Sequence, residues 1–304
     1  SKGKPSVEMV VSLNLPQIAI IADKDMELFW DMLDQRLELC KDALMIRHNM
    51  LLGTSSDVSP IHWQHGAIAR LGKGEKIDKY LKDGYSTLSL GYVGVCEMVY
   101  AMLGVSHTTP EGEKFALEVM NHMEDKCMEW KKETGLGFGL YGTPAENLIY
   151  RFCRLDKARF GEIKNVTDRL YYTNSYHVHV CEEIDAFSKL KFESQFHDIS
   201  LGGCISYIEV PDMSKNIEAV EDIINFIYHN IQYAEINTKP DICYKCGYTG
   251  EIQLNKGDLT WHCPSCGNSD ENEMQVMSRT CGYIGTNFWN KGRTAEIGDR
   301  VLHL

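Results

Sequence analysis

The stretch SRTCGYIGTNFWNKGR, residues 278–293, sets a glycine between a cysteine and a tyrosine near the end of a 304-residue chain. Gly282 is either a turn residue or the place where chemistry happens, and the residues upstream bear on the choice. CYKC (243–246) and CPSC (263–266) are separated by sixteen residues. Two thiolate pairs on tight turns close a tetrahedron around Zn²⁺, which favours sulfur. Gly247 and Gly267 follow the pairs, as turns that aim backbone amides at sulfur require. Cys243, Cys246, Cys263 and Cys266 are therefore the expected zinc ligands; a rubredoxin-type iron centre or four reduced thiols are the alternatives. A closed four-cysteine site leaves no open position for substrate, so its expected role is structural, fixing the segment that carries Gly282.

Composition bounds the partners. Lys and Arg number 31 against 43 Asp and Glu, a net charge of −12 with no basic stripe, which argues against a nucleic-acid backbone as partner. No run of about 18 apolar residues exists, so no membrane span is expected. The N-terminus lacks a signal-peptide pattern and begins almost inside a strand, as a fragment of a longer chain would. Eleven cysteines, four of them in CxxC pairs, fit a reducing cytoplasm better than a disulfide scaffold.

Strand-like segments are expected at 7–13, 86–90, 137–141, 171–180 and 204–210. Helices are expected at 24–51, 75–82, 93–103, 111–134, 144–158 and 214–232. This alternation implies βαβ units and a largely parallel sheet. The character changes near 238, where Lys239-Pro240 precedes the cysteine-rich module. The glycines of GLGFGLYG (135–142) match neither GxGxxG nor a P-loop, and suit close packing around a narrow strand.

Arg279-Thr280-Cys281-Gly282-Tyr283, with Asn290, Gly292, Arg293 and Glu296 beyond, resembles the radical loop of glycyl radical enzymes. The cysteine module before it narrows the resemblance to anaerobic (class III) ribonucleoside-triphosphate reductase. VSLNLPQIA, LSLGYVG, GFGLYGTPAENL, RFCRLD, VTDRLYYTNSYHV and CYKCG look like blocks of that family. The resemblance implies the C-terminal half of a ten-stranded α/β barrel (1–238), a small zinc ribbon (239–270) and a radical loop with a C-terminal helix (271–304). It implies that an activating enzyme with an iron–sulfur cluster and S-adenosylmethionine takes hydrogen from Gly282. A cysteine thiyl radical then attacks the ribose of a ribonucleoside triphosphate, with formate as reductant in many members. A homodimer is implied, as are ATP and deoxynucleotide effector sites, mostly upstream of this chain. Another glycyl radical reaction, or a non-catalytic zinc-ribbon module, is the competing function. Physically, a Cα radical is stabilised between an amide nitrogen and a carbonyl and needs a nearly planar centre, which a side chain would crowd.

In the family the thiyl cysteine lies upstream of the block matching VVSLNLP, so none is assigned here. Cys40, Cys96, Cys127, Cys153, Cys181 and Cys204 read as packing residues, and Cys281 as packing of the loop. Asn14 follows a strand, at the end where α/β barrels place chemistry, and the resemblance sets it beside the substrate ribose. Gly142, Thr143 and Ala145 are candidates for the substrate phosphates, at a helix start that Thr143 would cap, Pro144 would open and Glu146 would complete as a capping box. His62 and His65 are weak chelators by spacing, and His177 and His179 read as the polar face of a strand.

Overall fold

A computed structural model of the chain describes residues 6–145, 147–280, 284–286 and 289–303. β1 (Ser6–Asn14) runs into α1 (Leu15–Ala22) and the long α2 (Met26–Leu51). The short α3 (Pro60–Trp63) precedes β2 (Ser86–Val93), α4 (Val95–Leu103), α5 (Pro110–Thr134) and β3 (Gly137–Gly142). α6 (Leu148–Phe160), α7 (Ala186–Ile199), β4 (Ser206–Glu209), α8 (Ile217–Asn230) and β5 (Ala234–Asn237) follow. The short strands β6 (Ile242–Cys243), β7 (Gln253–Asn255), β8 (Thr260–His262), β9 (Met274–Gln275), β10 (Met277–Arg279) and β11 (Ile284–Thr286) lead to α9 (Lys291–Asp299).

β1, β2 and β3 form a parallel sheet in that order, with Asn14 opposite Val93 and Tyr92 opposite Gly142, so their C-terminal ends are level. A parallel bridge from Tyr141 to Gly203 continues the order towards β4, which pairs in parallel with β5. The result is a run of parallel strands with helical crossovers, the α/β architecture expected from the sequence. Among the described residues the sheet does not close into a barrel.

The two faces of the sheet differ because side chains alternate along a strand. Leu88, Leu90, Phe138 and Leu140 pack with Phe29, Leu33, Leu37, Val119 and Met123 from α2 and α5 in the main core. Opposite them, Ser12, Ser89, Gly91 and Gly139 make a face of small residues. A Cβ on Gly91 would fall 2.2 Å from Thr143 Oγ1 and 2.6 Å from Ser12 Oγ, and one on Gly139 would lie 3.2 Å from Gly202 Cα. Gly91 thus leaves room for two side-chain hydroxyls, and Gly139 for the close approach of the backbone at Gly202.

Four expectations are corrected. The helix at 75–82 contracts to a single 3-10 turn, Asp78–Tyr80. Segment 171–180 forms no strand beyond a bridge from Asn174 to Val93, because side chains take its backbone donors: Thr173 N donates to Glu97 Oε1 (2.7 Å) and Val178 N to Glu193 Oε1 (3.0 Å). His177 and His179 therefore share no strand face; His177 is buried 3.3 Å from Glu193, and His179 stacks on Tyr171. The helix read from 144 starts at Leu148 with Asn147 at its cap, and Thr143 Oγ1 instead accepts from Tyr92 N (3.1 Å). Glu146, the other half of the expected capping box, lies outside the described residues. Finally, α1 and α7 stand where no helix was expected.

Filling the small-residue face should disturb the sheet. Gly91→Ala is expected to cost about 1–3 kcal/mol, the range for overpacking a close-packed interior, read as a lower urea midpoint at unchanged slope.

Candidate functional site

Each CxxC pair closes a tight turn of the same design. Gly247 N donates to Cys243 O and Gly267 N to Cys263 O, both at 2.9 Å, and both glycines take positive φ (+74° and +70°). The sulfurs of Cys243, Cys246, Cys263 and Cys266 all lie within 4.8 Å of one another. Cys243 and Cys266 stand 3.8 Å apart, and Cys246 and Cys263 3.7 Å. A Zn–S bond of about 2.3 Å gives a tetrahedron with edges of about 3.8 Å, so the four thiols fit that ion. Burial raises the Cys243 thiol, but inward N–H groups of Cys246 and Lys245 outweigh it and bring it down to about 7. The Asn268 amide favours a thiolate on Cys266, yet the neighbouring sulfurs push that thiol up to about 12. Four sulfurs this close cannot all ionise unaided; a divalent cation removes the repulsion by binding all four.

The centre is tied to the strand before Gly282. β6, which ends on Cys243, pairs antiparallel with β9, and Tyr244 N donates to Glu273 O (2.8 Å). The buried Asp241 carboxylate accepts from Ile252 N (2.9 Å) in the module and from Met277 N (2.8 Å) at the start of β10. β10 pairs with β11 through Met277–Thr286, Ser278–Gly285 and Arg279–Ile284. The chain joining these strands carries Cys281 and Gly282, which lie outside the described residues. Buried Arg279 pairs with Glu235 of β5, and its N–H reaches Asn237 Oδ1 at 3.4 Å. Arg279 also lines a cleft of about 270 Å³ with Tyr141, Gly142, Gly203 and Cys204.

Asn14 caps α1, accepting from Gln17 N (3.3 Å), while its Nδ2 donates to Asp156 Oδ2 (2.7 Å). Buried Asp156 also accepts from Gln17 Nε2 (2.6 Å) and Tyr172 OH (3.0 Å). Sequence reasoning missed this carboxylate, although it falls on the apolar face of α6 with Ile149 and Cys153 at helical spacing. Gly142 N already donates to Gly203 O, and Ala145 N to Thr143 O, both at 2.9 Å. Cys40, Cys96, Cys127 and Cys153 are buried. Cys204 is only partly so and faces the cleft, where burial pushes its thiol up to about 12.

A buried charge cluster on α9 holds these parts together. Glu296 accepts from Arg293 Nη1 (2.8 Å) and from Arg300 Nε and Nη2 (both 3.1 Å). Arg300 Nη1 continues to Glu209 Oε1 (2.7 Å), whose carboxylate also accepts from Asn237 Nδ2 at 2.6 and 2.8 Å.

Fold and site together define a parallel α/β chain carrying a zinc-ribbon-like four-cysteine module. Residues 2–303 match the family described as anaerobic ribonucleoside-triphosphate reductase, and the chain belongs to that family. The anaerobic ribonucleoside-triphosphate reductase of Escherichia coli (strain K12) is 40% identical over 301 residues, covering 97% of this chain and 42% of that protein. That of Enterobacteria phage T4 is 37% identical over 302 residues, covering 97% and 48%. The chain thus spans less than half the length of these curated relatives. A solved anaerobic ribonucleotide reductase shares the fold with a TM-score of 0.68 at 21% identity, covering 98% of this chain and 45% of the other. The Thermotoga maritima enzyme in complex with dATP and CTP gives 0.64 at 20%, covering 94% and 44%.

Two outcomes are expected. Protein purified without chelator should hold about one zinc ion per chain by mass spectrometry, and Cys263→Ser should lose most of it. Arg300→Met should lower stability by about 3–5 kcal/mol in urea at pH 7, because it strands buried carboxylates. Burial alone would raise the Glu296 carboxyl, but Arg300 and Arg293 outweigh it and hold it at about 2. Its stabilising contribution is therefore full above the ordinary glutamate range, near about 4.3, and should fade as pH falls towards about 2.

Proposed function

We propose that the chain is the C-terminal, radical-bearing part of an anaerobic ribonucleotide reductase, with the glycyl radical on Gly282. The observation that carries this is the joining of a four-thiol centre, through β6, β9 and Asp241, to the two strands that flank Gly282. An activating enzyme with an iron–sulfur cluster and S-adenosylmethionine would remove one hydrogen atom from Gly282. The glycyl radical would then take hydrogen from a cysteine thiol elsewhere in the whole protein, leaving a thiyl radical that takes the hydrogen from C3′ of the ribose, after which water leaves from C2′. With formate as reductant the reaction balances: ribonucleoside triphosphate, formate and a proton give deoxyribonucleoside triphosphate, carbon dioxide and water.

Asn14 carries two amide hydrogens and Asp156 takes one, which leaves the other to meet the ribose. Gly142, Thr143 and Ala145 lead into α6, whose cap residue makes no side-chain cap bond. The first amides of that helix suit the triphosphate. Division at 238 and 270 into barrel, zinc ribbon and radical segment, the homodimer, the ATP and deoxynucleotide effector sites, and a cytoplasmic location belong to the same proposal. No described helix is long and apolar enough to cross a membrane.

In the full-length protein, anaerobic activation should give a glycyl electron paramagnetic resonance doublet. Gly282→Ala should abolish both the doublet and formate-dependent deoxynucleotide formation. A doublet surviving that substitution would sink the assignment.

A further inference from the structure

α9 joins two places that no single strand connects. At its N-terminal end Asn290 Nδ2 donates to Asn147 Oδ1 at 2.8 Å. Gly292 sits so close to α6 that a Cβ there would fall 2.6 Å from Tyr150 Cβ. Arg293, 1% exposed, sends Nη2 to the Ala145 carbonyl and Nη1 to Glu296. At the other end Arg300 reaches Glu209, and Ser278 Oγ of β10 lies 3.5 Å from its Nη1. Asn237, held by Glu209, accepts the Arg279 N–H. One buried cluster therefore touches both the segment after β3 and the strand that leads to Gly282.

We propose that Arg293 is a positioning residue for substrate: it ties the Ala145 carbonyl to the charge cluster that also holds β10. The segment leading into α6 and strand β10 are then set relative to each other. The planar guanidinium serves a carboxylate and a carbonyl at once. A lysine ammonium at the same place has no such fork and keeps the Glu296 contact at the expense of the carbonyl. This inference rests on the radical-reductase function proposed above.

The test uses the full-length protein activated anaerobically by its activating enzyme. Arg293→Lys should keep the glycyl doublet within about twofold of wild type, since β10 stays anchored through Arg300 and Asn237. The KM for the ribonucleoside triphosphate should rise about tenfold at little-changed kcat, the scale of one lost charge-assisted hydrogen bond. An unchanged KM overturns the proposal. So does a loss of doublet matching the loss of substrate affinity, which would mark Arg293 as a general structural support. If thermal melting shows the lysine variant unfolded, the neutral pair Arg293→Gln with Glu296→Gln is judged by the same two readouts. A wild-type protein with neither doublet nor turnover overturns the reductase function itself, and this inference with it; an active wild type with an indifferent lysine variant overturns this inference alone.

Discussion

Glu296 lies buried between Arg293, in the first turn of a nine-residue helix, and Arg300 at its C-cap. Residues 293, 296 and 300 follow one another at helical spacing, so a single carboxylate meets two guanidinium groups. Taking such charges out of water costs several kcal/mol per ion, and only good geometry with further hydrogen bonds offsets it. The cluster meets that condition by recruiting neighbours: Tyr207 OH reaches Glu296 at 3.3 Å, and Arg300 lies over the Tyr207 ring at 4.8 Å. An apolar patch could supply comparable stability, yet it would tolerate sliding. Paired forks do not, so α9 has one register against β4, β5 and α6.

The cysteine module meets the last turn of the same helix. Ile297 enters its core beside Ile252, Trp261, Met274 and Val276. Leu254 of β7 presses on Gly298, where a Cβ would lie 2.3 Å from Leu254 Cδ2. Lys256 pairs with Asp299 at 2.8 Å, and Asp299 also receives Arg169 (3.0 Å) and Tyr171 (2.9 Å) from the loop before α7. Those exposed or half-exposed pairs contribute little energy individually. Their effect is directional, because they keep the module facing the helix that the buried cluster has already placed.

Legibility in the sequence followed the range of the interaction. The four cysteines were readable because a metal centre is coded by local spacing. α2 was readable because its apolar residues recur with one period over seven turns. α1 was not: LPQIAIIA is apolar nearly all round, so it shows no amphipathic stripe, and its cap Asn14 also suits a turn. α7 was obscured by Lys189 and Glu193, charged residues on its buried side whose pairing (2.6 Å) only the tertiary fold makes sense of. Segment 171–180 alternates like a strand but finds carboxylates where a neighbouring strand would be. Of the site, the four cysteines were plain, while Asp156 and Glu209 were not, since their partners come from distant parts of the chain.

The two anchors differ in access, and that separates their roles. Cys246 and Cys266 are exposed while Cys243 and Cys263 are buried, so the thiol centre sits at the surface with one side open to solvent. The charge cluster has no such side. A metal can enter or leave a surface centre, and its loss would first loosen β6 and β9, the strands next to the cysteines. The cluster would still hold β10 through Asn237 and the Arg279–Glu235 pair. A metal on the four thiols would thus act on β6 and β9, while the buried ions hold β10 through Asn237.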